Sequence, residues 1–377
     1  MSTHIAAIGM VSALGLDWAT SCAASRCGVS RAAALDHYRV QAGDPWKVEF
    51  VVGHQVDLLT RGFERHGRLL RLLTGALRDL LRTTSETARD YDSAPVYLSL
   101  PDPHRTLSDA VLDEKTGAEA PVRRSETSPS QGFDAAALLS QAATLAGWPC
   151  RIRLAAAAHS GHTGTIDILE RCLRDLSAGQ TSYAIVGAVD SLLDDETLAW
   201  LSNTRRLKNP SFATGMVPGE SGVVLLLCQG QQMKGHLGTI DRLAFDHEDQ
   251  SFDSGKAPLG KGLSSVVRQV ADGTDWPGQS SPWVLSDHNG EVYRANDWGW
   301  ALQRLTAANA IFSTSQMWFP ASSFGDTGSA GAAVGIACAV AAWKRGYAPS
   351  TRCCIAASAD SGRRAGLRMS NPQARRG

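Results

Sequence analysis

Two short segments, one in each half of this chain, repeat one another. The run IVGAVDS at residues 185–191 and the run IAASADS at residues 355–361 share their Ile, Asp and Ser at identical spacing. Each run follows a helical pattern that begins with small residues and ends at a glycine, Gly179 in the first half and Gly346 in the second. A pattern that recurs within one chain indicates a structural unit that recurs. The sequence therefore predicts two related halves.

Apolar strand patterns alternate with helical patterns along the chain. Strands are predicted at residues 5–9, 95–100, 152–156, 184–190, 223–227, 284–286 and 354–360, and helices at 17–26, 68–82, 164–176 and 328–345. Strands that are apolar on both faces are typical of a sheet covered by helices. We therefore expect an α/β fold with halves at residues 1–232 and 233–370. A polar stretch at 101–133 is expected to be an excursion, and 371–377 a disordered tail.

Composition excludes several classes of function. The 377 residues carry no net charge at pH 7, and 43% of them are hydrophobic. Basic residues are dispersed among acidic ones, so nucleic acid is not an expected partner. No apolar run approaches the ~20 residues of a membrane span, and the start has no secretion signal. The eight cysteines do not have the spacing that is typical of metal ligands. We expect a cytoplasmic protein with reduced thiols and no metal or other cofactor.

Five segments resemble β-ketoacyl synthases of the thiolase superfamily in their order and spacing. They read AAIGMVSALG from Ala6, AGQTSYAIVGAVD from Ala178, GMVPGESG from Gly215, GDTGSAG from Gly325 and SADSG from Ser358. The resemblance spans nearly the whole chain. It implies a layered α-β-α-β-α sandwich of two pseudo-duplicated halves, each with a buried central helix. It also implies a homodimer or pairing with a related synthase subunit, with an acyl thioester or an acyl-carrier protein as a further partner.

The nucleophile of that family has no counterpart in this sequence. The family uses a cysteine at the amino end of the first buried helix, where the helix dipole favours the thiolate. Counting back from the glycines of the second segment, this position falls on His162, and a small shift places Ser160 or His159 there. Cys150 precedes the strand and Cys172 lies on the helix body. An acyl-imidazole hydrolyses readily and a serine needs a base to activate it, so stable acyl transfer is not expected.

Two further family positions carry histidines that polarise the thioester carbonyl. The first matches His288, but the second matches Asp326, so a carboxylate replaces an imidazole. The family's upstream lysine and the gating phenylalanine of its terminal loop are also missing. These residues have ordinary explanations as well: Asp326 would suit a helix N-cap, and His288 stands before an Asn-Gly turn. Glu291 and Arg294 are expected to form a surface ion pair that contributes little to stability.

The resemblance and these losses lead to three functional hypotheses. The first is a catalytically degenerate synthase homologue that acts as a non-condensing accessory, acyl-binding or scaffold protein. The second is an active acyltransferase or thioesterase that uses Ser160 or His162 with His288 and Asp326; a divalent metal held by two histidines and a carboxylate is a weaker variant of it. The third is a protein-interaction adaptor in a secretion or biosynthetic assembly.

Overall fold

One sheet of ten strands runs through the molecule. The computed structural model describes residues 2–41, 47–84, 91, 93–105, 134–209, 212–230, 235–272 and 281–372. In these ranges the strands are β1 (Thr3–Ser12), β2 (Ala33–Gln41), β3 (Val48–Gly53), β4 (Pro95–Ser99), β5 (Arg153–Ala158), β6 (Tyr183–Ser191), β7 (Glu220–Gln229), β8 (Gly238–His247), β9 (Trp283–Ser286), β10 (Gln316–Trp318), β11 (Arg352–Ser358) and β12 (Arg363–Ser370).

The helices of the described residues lie on both sides of this sheet and between its two halves. They are α1 (Trp18–Arg26), α2 (Asp57–Thr60), α3 (Arg65–Thr84), α4 (Ala135–Ala146), α5 (Gly164–Ser177), α6 (Asp195–Asn203), α7 (Lys261–Ala271), α8 (Val292–Ala308), α9 (Ala321–Phe324) and α10 (Gly331–Arg345). Short 3-10 turns, Gly161–Thr163 and Gly328–Ala330, lead into α5 and α10. None of the described helices is both long and apolar enough to cross a membrane.

The strand order shows the duplication. The order across the sheet is β10-β9-β11-β12-β8-β1-β7-β6-β4-β5, and β2 and β3 form a separate ribbon. From the centre outward, the strands of one half are in the order β1-β7-β6-β4-β5 and those of the other half in the order β8-β12-β11-β9-β10. In both halves the strands pair antiparallel near the centre and parallel at the edge. The two echoed runs begin at equivalent places, on β6 and β11. The prediction of two pseudo-duplicated α/β halves is therefore confirmed.

Five layers result from the packing of the helices. The largest apolar cluster contains α5 and α10 between the strands of the two halves. A second cluster joins α3 and α4 to the outer face of the first half, and a third joins α7 and α8 to the second half. Helix α10 is buried at every position from 332 to 343, which explains its content of alanine and glycine, since a helix covered on all sides has no polar face.

Several sequence expectations fall outside the described residues. The boundary proposed at 232/233 lies within 231–234, most of the polar excursion lies within 106–133, and most of the expected tail lies within 373–377. The described part of the excursion contains Arg105, which is 9% exposed. Its burial was not expected from a polar stretch, and its partner is described below.

Helix α3 lies against the sheet because two strands carry glycine beneath it. A Cβ atom on Gly9 of β1 would stand 2.2 Å from the carbonyl oxygen of Ala76, and one on Gly222 of β7 would stand 2.6 Å from that of Leu72. Real Cβ atoms do not approach a backbone so closely, so a side chain at either position would push the helix away. These glycines therefore set the distance between the sheet and its outer layer.

We expect Gly9→Ala to lower the free energy of unfolding by about 1–3 kcal/mol through overpacking. The matched control is Gly299→Ala on the exposed face of α8, where an added Cβ meets nothing within 4 Å; this change should raise stability by about 0.5–1 kcal/mol through helix propensity. Urea unfolding of the two variants checks this, and equal shifts for both would contradict the account.

Candidate functional site

The amino ends of the two central helices meet at His162. This residue lies in the 3-10 turn before α5 and is 9% exposed. The preceding Gly161 has φ of 57°, in the left-handed region that glycine adopts without strain. This glycine allows the chain to turn sharply from β5 into the helix. The imidazole is thereby placed between the two halves, at the position that the resemblance gives to the nucleophile.

Both ring nitrogens of His162 are engaged. Nε2 lies 2.8 Å and 3.0 Å from the two carboxylate oxygens of Asp326, and Nδ1 lies 3.0 Å from Nη2 of Arg294. A guanidinium only donates hydrogen bonds, so Nδ1 has to be the acceptor. The ring proton is then on Nε2, where it is donated to Asp326. This arrangement leaves neither nitrogen with a free lone pair.

Asp326 is held in place by backbone and side-chain contacts. Its amide donates to Val217 and its carbonyl accepts from Gly219, each at 2.8 Å. Its carboxylate also accepts from Asn289 Nδ2 at 2.5 Å and from the Gly328 amide at 2.8 Å. Asp326 therefore binds the Gly328 amide two residues further on and also faces His162. The N-cap positions are Thr327 for the 3-10 turn and Ala330 for α10, so the expectation that Asp326 is a helix N-cap is wrong.

Burial alone would raise the pKa of Asp326, but its neighbours reverse the effect. Hydrogen bonds from His162 and Asn289 and the charge of Arg294 hold the pKa of this carboxyl well below its usual range. Asp326 is thus an ionised group at neutral pH inside the protein. A carboxylate of this kind orients its partners and does not exchange protons near neutrality.

Arg294, in the first turns of α8, connects these residues to the rest of the molecule. Besides His162, its guanidinium donates to Asp287 at 2.6 Å, to the Ser358 carbonyl at 2.8 Å and to Glu291 at 3.2 Å. The residue is 2% exposed. The expectation of a surface ion pair between Glu291 and Arg294 is therefore wrong. Both side chains face the interior, because the position of α8 against the strand ends could not be read from their spacing.

A second buried arginine completes the network. Arg206 donates from Nε to Glu291 at 2.5 Å and from Nη1 to Asp360 at 2.6 Å. Burial disfavours the ionised form of Asp360, but Arg206 and Arg294 hold the pKa of Asp360 well below its usual range. Two guanidiniums thus bind carboxylates from three segments of the second half, while Arg206 itself belongs to the first half.

The aspartates of the two echoed runs have equivalent partners. Asp190 lies within the buried strand β6 and accepts from Arg105 Nη1 at 2.9 Å, as Asp360 accepts from Arg206 beyond β11. Asp190 also accepts from the Ser329 amide, at 2.7 Å, in the turn before α10. The repeated aspartate of the sequence is therefore a buried acceptor for an arginine in each half. The repeated sequence run contains these two aspartates, but nothing in it predicted that Arg105 and Arg206 are their partners.

The remaining sequence-predicted residues do not join His162. The hydroxyl of Ser160 donates to Asp167 at 2.5 Å, and Asp167 also accepts from Arg363 at 2.7 Å. The ring of His288 lies edge-on to Phe319, 5.7 Å between centroids, and its Nδ1 accepts from the Gly290 amide at 3.3 Å. The neighbour of His288, Asn289, makes the contact with Asp326 instead. A catalytic role for Ser160, His162, His288 or Asp326 stays a prediction.

Among the described residues, one group of side chains has its ligand atoms close enough together to hold a metal ion. His37, Glu64 and Asp195 bring three ligand atoms within 4.8 Å of one another, and all three side chains are exposed. This group is at the surface, away from His162. At His162 itself, the contacts with Arg294 and Asp326 occupy both nitrogens that a metal would need.

Solved structures of polyketide ketosynthases share the architecture of this chain. The ishigamide ketosynthase/chain length factor matches over 98% of this chain and 99% of its own, with a TM-score of 0.67 and 17% identity. AntDE:AntF, a type II acyl-carrier protein in complex with its ketosynthase bound to the hexaketide, matches over 98% and 99%, with a TM-score of 0.71 and 12% identity. The oxazolomycin ketosynthase domain OzmH KS7 of Streptomyces albus matches over 98% and 75%, with a TM-score of 0.68 and 13% identity.

The chain has the ketosynthase fold. No family model and no curated protein matches it, so the fold comes from the structural likeness and the chemistry has to be read from the residues. In this ketosynthase fold, the amino end of the first central helix carries His162. The eight cysteines all fall within the described residues, and none of them lines the cavities beside His162.

Two small cavities flank the imidazole. One, of about 40 Å³, is bounded by Asp326, Phe324 and residues of α10. The other, of about 30 Å³, is bounded by Arg105, Arg206 and Trp200. Since one water molecule needs about 10–15 Å³ of cavity volume, each cavity has room for two or three waters.

We expect Asp326→Asn to lower the free energy of unfolding by about 1.5–3 kcal/mol at neutral pH, because buried hydrogen bonds to an ionised carboxylate are weakened or lost. The folded-state pKa of Asp326 is depressed, so its stabilisation is complete above the ordinary aspartate value of 3.8 and is lost as the pH falls below it. The difference between wild type and variant should therefore shrink on acidification from pH 5 to pH 3.

Chemical unfolding across this pH range measures that difference. Asp57→Asn is the matched control, since Asp57 forms an exposed ion pair with Arg61 and should change stability by less than about 1 kcal/mol. A difference for Asp326→Asn that grows on acidification would rule out the assignment.

Proposed function

We propose that this chain is a non-condensing ketosynthase-fold subunit, which acts by assembling with other proteins instead of carrying an acyl group. The observation that supports this most directly is the engagement of both nitrogens of His162. A side chain at this position needs a free lone pair to attack a thioester or to accept a proton. With Arg294 on Nδ1 and Asp326 on Nε2, the imidazole has none.

The surroundings of His162 support the same proposal. Arg294 makes hydrogen bonds to four residues at once, so it cannot leave Nδ1 without breaking a buried network. The two cavities that the described residues form beside the ring have room for only a few waters each, which favours a role other than acyl binding at this position. Of the non-condensing roles, a scaffold or partner subunit therefore fits better than acyl binding at this site.

The alternative of an acyltransferase or thioesterase has one observation in its favour. The contact between His162 and Asp326 resembles the base and orienting acid of a hydrolytic triad. In such a triad the other ring nitrogen faces the nucleophile, whereas here it faces Arg294. Ser160 is bonded to Asp167, and the combination of Ser160, His162, His288 and Asp326 is not assembled in one place. We therefore rank this alternative second.

Acylation distinguishes the two. After incubation with acetyl and longer acyl thioesters, the intact mass of the wild-type protein should stay unchanged, because no activated nucleophile meets the thioester. An active ketosynthase treated in parallel provides the positive control. A stable acyl adduct on this chain that disappears in Ser160→Ala or in His162→Gln would overturn the proposal and favour the alternative.

The edge strand β5 is the surface that we propose for pairing with a second ketosynthase-fold chain. It ends the sheet order, and its residues alternate between exposed and half-buried, with Arg153, Ala155 and Ala157 exposed. An open edge of small residues is a template for strand pairing with another chain. Among the similar structures, one is named as a ketosynthase/chain length factor and another as an acyl-carrier protein in complex with its ketosynthase, which supports an assembling role for this chain.

Purified alone, the protein should sediment as a dimer of its 40.1 kDa chain. Replacing Ala155 and Ala157 together by arginine should shift it to a monomer, because like charges would then face each other across the two-fold axis. The matched control replaces Ala307 and Ala308, exposed on α8, by arginine and should remain dimeric. Sedimentation velocity checks both, and a wild-type monomer or a dimeric β5 variant would exclude this interface.

A further inference from the structure

A larger pocket, separate from the two cavities beside His162, lies on the other side of α9. Its volume is about 250 Å³, several times that of the cavities at the imidazole. Pro320 lines both this pocket and the inner cavity, while Ser322 and Ser323 face only this one. The segment of α9 therefore separates the two spaces, and the pocket belongs to a part of the molecule that the proposed function does not use.

The walls of this pocket are aromatic and fixed in place. Trp318 and Tyr347 are stacked, with ring centroids 6.1 Å apart and planes at 18°. Behind them, the fully buried Trp283 packs edge-on against Trp318 at 4.7 Å and against Trp343 at 5.8 Å. Phe319, 44% exposed, stands at the mouth. An aromatic wall that is supported from behind is preformed for a flat ligand.

One cation stands over this wall. The guanidinium carbon of Arg26, the last residue of α1, lies 4.9 Å from the centroid of the Tyr347 ring. Within the described part of the chain, Arg26 forms no ion pair with a carboxylate. Stacking of this kind holds a guanidinium by its face and leaves its N–H groups at the edge, where they can donate to an anion.

The other polar groups of the pocket are neutral donors. A hydrogen bond with Cys338 and burial raise the pKa of Cys22, on the floor, well above its usual range. Burial raises the pKa of Tyr347 to about 12, so its hydroxyl keeps its proton. Ser25 and Ser323 add hydroxyls at the rim. The pocket therefore offers a positive charge and hydroxyl donors, with no carboxylate in its lining.

We propose that this pocket binds a small planar aromatic anion, whose ring lies against Trp318 and Phe319 and whose carboxylate pairs with Arg26. Its volume falls just below the range of about 300–1,000 Å³ that is typical of sites for drug-sized molecules. One ring or two fused rings with a single carboxylate match this size. The site is separate from His162, and its occupancy does not depend on whether the chain performs acyl chemistry.

Calorimetric titration with 2-naphthoate and with its neutral analogue 2-naphthamide tests the proposal. Wild type should bind 2-naphthoate with a dissociation constant of about 1 mM or tighter, as expected for a ligand of this size. Arg26→Gln should weaken naphthoate about tenfold, because one charge-assisted hydrogen bond is lost, and should leave naphthamide within about twofold. Phe319→Ala should weaken both ligands, because it removes apolar contact from the mouth.

Arg242→Gln is the control for a general loss of positive charge, since Arg242 is exposed on β8 and lies outside the pocket lining. It should bind naphthoate as wild type does. The proposal is overturned if wild type does not bind naphthoate, if Arg26→Gln binds it as tightly as wild type does, or if naphthamide binds wild type as tightly as naphthoate. All variants change exposed side chains, so loss of folding does not confuse the result.

Discussion

The guanidinium of Arg294 is the contact on which the centre of this molecule depends. It donates at once to Asp287 after β9, to Glu291 at the start of α8, to the carbonyl that ends β11 and to His162 before α5. Removing this guanidinium would leave Asp287 without its cationic partner and His162 without the donor to its Nδ1, while Glu291 would keep Arg206. A single side chain thus ties the strand ends of the second half to the central helix of the first.

This network also limits the chemistry that the site can perform. A ketosynthase-type reaction requires a nucleophile at the amino end of the first central helix and space for a chain beside it. In this protein that position is filled by an imidazole held from both sides, and the adjoining cavities hold only a few waters. Buried ion pairs of this kind add little stability over an apolar core, but they set how the groups fit together. We infer that the buried network around His162 serves to hold the two halves together.

The duplicated topology explains why charges accumulate at this point. Each half ends a buried strand with an aspartate, Asp190 on β6 and Asp360 beyond β11, and each aspartate binds an arginine from elsewhere in the chain. Both of these carboxylates lie near His162. Backbone contacts between Val217, Gly219 and Asp326 join the loops of the two halves in the same region. The symmetry of the fold thus concentrates the polar groups along the contact between the halves.

The sequence pattern by itself predicted the layered α/β fold and its duplication, because period, burial pattern and a repeated run are local properties of the chain. The choice of His162 and Asp326 as site residues came from the resemblance to β-ketoacyl synthases. The sequence could not determine which of these residues touch. The resemblance brings Ser160 and His288 to the same site as His162, yet their observed partners are Asp167 and Phe319. Arg105, Arg206 and Arg294 look like surface residues in sequence, because arginine is mostly exposed in proteins. Only the tertiary structure, by bringing strand ends from both halves together, showed that they are buried and paired, and that the imidazole at the centre has no free nitrogen.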